Sequence, residues 1–153
     1  MIRLFFILTI LYSIPQSSQI GEVVKRINEI SNKSVDLPMT RYDNSIVYIS
    51  DVEFGQTNEG YYCNYLIGEN KNQRKQITQK IVNFNSIKNI SVSKKNSENS
   101  KVKLLQITLS KPIVKQTFNN KENFVTIFAI PFLDSEEDYN LLVNSIKKLQ
   151  SKK

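Results

Sequence analysis

Two periodicities divide this chain. From residue 45 to residue 132 apolar and polar side chains alternate in short runs, while on either side the apolar positions recur at helical spacing. Seven runs read as strands: 45–54, 61–67, 75–84, 87–94, 102–109, 113–118 and 124–132. Their breaks hold turn formers, including Gly55, Gly60, Gly68, Asn85-Ser86, Pro112 and the polar stretch 119–123. Connections this short suit hairpins, so the spacing predicts an antiparallel meander. The run 124–132 is apolar on both faces and is expected to be covered on both sides, with the following helix as one cover.

The first helical segment places Ile20, Val23, Val24, Ile27 and Ile30 on one face, and Pro38 marks the break after it. The second, 135–150, opens with Ser135 as N-cap and Asp138 at the third position of a capping box. Acids at 134 and 136–138 suit the positive helix end, and lysines at 147, 148, 152 and 153 suit the negative end. Tyr139, Leu142, Val143, Ile146 and Leu149 form its apolar stripe. The expected organisation is a signal segment over 1–18, an N-terminal helix and linker over 19–40, and a single α+β domain over 41–153.

Seven antiparallel strands followed by a capped amphipathic helix resembles the pleckstrin-homology-like (PH-like) barrel, on element order over residues 45–150. The resemblance implies a seven-stranded antiparallel barrel or sandwich closed by the C-terminal helix. Members of that family that bind inositol phosphates usually place basic residues on and between the first two strands. Here the loop from Gly55 to Gly60 has none, and the first strand carries Asp51 and Glu53. The tryptophan frequent in the family's terminal helix is absent too, so no phosphoinositide binding is expected.

The N-terminus changes the setting. Arg3 precedes an apolar run, Leu4 to Leu11, too short to span a bilayer and long enough for the core of a secretory signal. Export to the periplasm or the exterior of a bacterial cell is expected, with cleavage near Ser17 or Ser18 and no integral span in the mature chain, an uncleaved anchor being the alternative. Cys63 is the single cysteine, so no intrachain disulfide exists, and its setting among Tyr61, Tyr62 and Tyr65 favours a buried thiol.

The formal net charge is +7. Residues 71–121 carry twelve basic side chains and one acid, Glu98. The bias towards Lys, Asn, Ile, Phe and Tyr follows AT-rich coding, so part of the lysine excess reflects codon usage. The candidate anion-binding residues are Arg74, Lys75, Lys80, Lys103 and Lys115. Lys75 and Lys80 have opposite strand parity, which predicts scatter over more than one face and weak, non-specific polyanion binding.

The chain contains no histidine, which excludes Ser-His-Asp and Cys-His catalysis, and no metal site is expected from one cysteine without histidine. Asp51 and Glu53 would share a strand face as a carboxylate pair, though a solvated face explains them equally well. Tyr48, Tyr61, Tyr62 and Tyr65 could stack on sugars, bases or a protein, or pack the barrel. The expected role is therefore an exported, non-enzymatic binding or interaction module without cofactor, its partner an unidentified protein. The alternatives are a barrel carrier for a small apolar ligand and a basic adaptor for anionic surfaces.

Overall fold

The computed structural model describes residues 16–150. Residues 1–15, with most of the expected export signal, lie outside the described residues. Ser17 and Ser18 fall in the first turn of helix α1, Gln16–Asn32. Nine strands follow: β1 Pro38–Thr40, β2 Ile46–Thr57, β3 Gly60–Gly68, β4 Lys75–Ile81, β5 Ile87–Val92, β6 Val102–Leu109, β7 Val114–Phe118, β8 Lys121–Val125 and β9 Ile127–Leu133. Helix α2, Glu136–Gln150, ends the described chain. No helix among the described residues is long and apolar enough to cross a membrane.

The antiparallel α+β organisation is as the sequence predicts, but the closed seven-stranded barrel is not. One sheet has six strands in the order β1-β2-β3-β4-β7-β8, the other three in the order β5-β6-β9. Three features separate expectation from structure: residues 38–40, expected as linker, form β1 beside β2, and two further differences lie within 119–132. The polar stretch 119–123 is mostly strand: only Asn119 and Asn120 turn, with φ of 51° and 59°, and β8 pairs back on β7. Both turn residues are left-handed, the conformation that a tight hairpin needs and that asparagine tolerates.

The run 124–132 also divides at Thr126. Its first part ends β8 in the large sheet and its second part forms β9 in the small one. Phe124 and Ile127 are consequently exposed, while Phe128, Ile130 and Phe132 enter the core. The expected cover on both faces fails for the β8 half but holds through most of β9, where Phe128, Ile130, Pro131 and Phe132 are buried and Ala129 is half-buried. Helix α2 forms part of that cover, with Phe132 packed on Tyr139 at a ring-centroid distance of 6.2 Å.

A bulge reorganises β2. Ile49 pairs with Ile67 and Phe54 with Cys63, which leaves one extra residue on β2 between Ser50 and Glu53. Asp51 there takes φ 52°. The inward set changes parity across it, from Val47 and Ile49 to Val52 and Phe54. Beyond the bulge β2 has no β1 neighbour, and α1 covers that edge instead. Asn28 Nδ2 donates to the Phe54 carbonyl at 2.7 Å, and the Phe54 N–H donates to Asn28 Oδ1 at 2.8 Å.

One apolar core fills the space between the sheets. Phe54, Tyr61, Phe84 and Phe128 contact one another with centroids 5.3–6.3 Å apart. Ile27 and Ile30 of α1 and Leu142, Ile146 and Leu149 of α2 complete it. The cap of α2 is half a capping box. Ser135 Oγ accepts from the Asp138 N–H at 3.1 Å, but the Asp138 carboxylate is buried and takes a 2.6 Å bond from Lys33 Nζ just beyond α1. That bond raises the Lys33 pKa above its ordinary value.

Candidate functional site

The outer face of the large sheet carries two transverse rows of side chains fixed by the register. Gly55, Tyr62, Lys80, Lys115 and Phe124 stand opposite one another on β2, β3, β4, β7 and β8. Two residues along each strand, and therefore on the same face, lie Glu53, Asn64, Thr78, Thr117 and Glu122.

Tyr62 lies down on the sheet because its neighbour is glycine: a Cβ on Gly55 would overlap the phenol ring. Its hydroxyl donates to Glu53 Oε1 at 2.7 Å, and that bond, with some burial, raises the phenol pKa. The ring is held flat, which suits a stacking platform. At the other end of the row Phe124 is 68 % exposed, far more than packing requires.

Lys80 and Lys115 stand side by side between these rings. Like charges directly opposed on neighbouring strands are destabilising. Lys115 is relieved by a 2.9 Å ion pair with Glu122, whereas Lys80 has no hydrogen-bond or ion-pair partner among the described residues. The β2–β3 turn, Val82 and Ile113 raise walls around this row and make an open groove of about 520 Å³.

The five candidate anion-binding residues thus occupy three places. Lys80 and Lys115 share the groove. Arg74 and Lys75 lie at the other end of β4, where Arg74 Nη2 donates to Asp36 Oδ1 at 2.7 Å and Lys75 sits 5.8 Å from the Phe118 ring centroid. Lys103 is buried on β6, and its ammonium donates to the Ser97 and Glu98 carbonyls at 2.6 and 2.8 Å, with Asp134 at 3.7 Å. Lys103 closes a loop and is not available to a ligand. The parity of the strands separates Lys75 from Lys80; it is the pairing of β4 with β7 that brings Lys115 beside Lys80. Phe124 and Val82 line the groove as well, and nothing in the apolar pattern of the runs 124–132 and 75–84 singles them out.

The other candidates for chemistry are engaged elsewhere. Asp51 sits in the bulge and accepts from Ser50 Oγ at 3.3 Å, while Glu53 holds Tyr62. Both carboxylates are exposed, with buried Val52 between them, and Asp51 has left-handed backbone at the bulge. Cys63 is fully buried, and burial pushes its thiol far above the ordinary range, as it does the Tyr65 phenol. A protonated, inaccessible thiol is a poor nucleophile. No group of three or more potential metal ligands converges among the described residues.

Comparison of the chain with known protein families, with curated proteins and with solved structures found no match.

Proposed function

We propose that the chain is a non-enzymatic binding module whose ligand is anionic and sits in the outer-face groove. One observation carries this reading: Lys80 and Lys115 are directly opposed, with Lys80 unneutralised, between an exposed and a flat aromatic ring. Two ammonium groups held together at such a cost suit a ligand that brings negative charge between them. The aromatic cluster that fills the space between the sheets favours a surface binder over a carrier with an internal cavity. Export places such a module outside the cytoplasm, where the signal-like N-terminus would deliver it.

NMR titration of the ¹⁵N-labelled chain with a short dextran sulfate tests the location. Amide shifts confined to the neighbourhood of Tyr62, Lys80, Lys115 and Phe124 are expected. Shifts of equal size around Arg41, Arg74 and Lys75, or along the end of α2, would contradict a dedicated groove.

A further inference from the structure

We infer that the ligand of this groove is an acidic oligosaccharide, a chain of sugar rings carrying carboxylates, laid across the strands from Tyr62 to Phe124. The inference rests on the anion-binding reading above and adds the chemical class. Tyr62 and Phe124 are three strand spacings apart, about 14 Å, so the seat is an elongated track rather than a point. Flat and exposed aromatic rings at its two ends offer apolar faces, against which the C–H faces of sugar rings can pack. Between them Lys80 and Lys115 can each take a carboxylate oxygen.

The second row decides between classes of anion. It ends in carboxylates, Glu53 and Glu122, and its middle is Asn64, Thr78 and Thr117. Glu59 adds a third carboxylate on the rim of the groove. A continuous polyanion such as nucleic acid or polyphosphate would bring its charges against all three. A saccharide uses them, because its hydroxyls donate to carboxylates and both donate to and accept from asparagine and threonine. Sparse carboxylates on a hydroxyl-rich chain therefore match two lysines set among acids, amides and hydroxyls.

Isothermal titration calorimetry of the full chain with a short galacturonic-acid oligomer tests this, with its methyl-esterified form and a polyphosphate of equal charge as comparators. Saturable binding is expected, lost on esterification, weakened about tenfold by Lys80→Gln and about fivefold by Phe124→Ser. Both side chains are exposed, and an unchanged circular dichroism spectrum certifies the fold of each variant. Polyphosphate binding as tight as the oligomer, weakened by Lys80→Gln but not by Phe124→Ser, would overturn the saccharide while leaving the anionic groove. Failure of the oligomer to bind, with dextran sulfate still shifting the groove amides, would do the same. Binding of every probe unchanged by Lys80→Gln would overturn both.

Discussion

The carboxamide of Gln79 pairs with the backbone of Ala129 as a neighbouring strand would. Its Nε2 donates to the Ala129 carbonyl and its Oε1 accepts the Ala129 N–H, both at 2.8 Å. Gln79 projects inward from the large sheet and is fully buried, and β9 is an edge of the small one. One side chain thus satisfies an edge that has no strand beside it and ties the two open sheets together. The next residue with the same parity is Pro131, which has no N–H to leave unpaired there. Asn28 does the same for Phe54 on β2. Where a barrel would close by a continuous ladder, Gln79 joins β4 to β9. The edge at β1 meets the β5–β6 loop through two backbone bonds, from the Ser97 N–H to the Thr40 carbonyl at 2.9 Å and from the Tyr42 N–H to the Lys95 carbonyl at 3.0 Å.

Removing that closure should be costly. Gln79→Ala leaves the Ala129 N–H and carbonyl buried without partners and opens a cavity, an expected loss of about 2–4 kcal/mol in urea unfolding. Gln79→Glu adds a pH signature. A protonated glutamic acid can make both bonds, whereas a carboxylate cannot donate and is buried as a charge. The folded-state pKa is then raised above the unfolded value of about 4.3. The deficit relative to the parent chain should be small below that pH and should grow as pH rises through the folded value. A deficit independent of pH would mean that the carboxamide does not bridge.

Asn28→Ala removes the corresponding pair of bonds to Phe54, and a destabilisation of about 2 kcal/mol is expected. Amide hydrogen exchange should show the loss first at Phe54 and along α1. Protection unchanged at Phe54 would contradict the edge-covering role of α1.

Much of this fold was legible in the chain. Both helices and the antiparallel strand sequence follow from periodicity and turn residues. The bulge does not emerge from the reading of 45–54 as one regular strand, although the spacing of Val47, Ile49, Val52 and Phe54 holds one interval of three instead of two. The division at Thr126 was not legible, because an apolar run looks the same whether it forms one strand or passes between two sheets. Nor was β8, whose polar residues Lys121, Glu122 and Asn123 read as loop but form an edge strand. For the site, the residues of Lys80 and Lys115 were visible as candidates, but their adjacency depends on β4 pairing with β7 across an intervening β5 and β6. Long-range register of that kind leaves no local signal. Lys103 was misleading for the opposite reason: a lysine on a strand reads as solvent-facing unless the loop carbonyls that capture it are known.

Left-handed backbone at Asn120 offers a stabilising change. Glycine adopts this conformation without steric penalty, so Asn120→Gly should raise stability by about 0.5–1 kcal/mol, read as an increase in the urea midpoint. A lower midpoint would contradict the two-residue turn between β7 and β8.

The buried thiol predicts alkaline sensitivity. Burial raises the folded-state pKa of Cys63 above that of the unfolded chain. Stability from this source is fully present below an unfolded value of about 8.5 and is lost as pH rises beyond it. The thiol's share comes to about 2 kcal/mol between about pH 8.5 and about pH 10. Urea titrations across that range should show a steeper decline for the parent chain than for Cys63→Ala. Parallel declines, or rapid alkylation of the folded chain by iodoacetamide at neutral pH, would show that the thiol is accessible.

The concentration of anion binding in one groove is tested most directly by salt elution from a heparin column. Heparin reads every exposed cation, so the comparison of two double variants isolates position from net charge. Lys80→Gln with Lys115→Gln empties the groove, while Lys94→Gln with Lys95→Gln removes the same charge from an exposed turn in the other half of the fold. The groove variant should elute at clearly lower salt than the parent chain, and the turn variant close to the parent. Equal displacement of the two would show that the basic surface acts only through its total charge, and the groove would then have no claim to be a binding site.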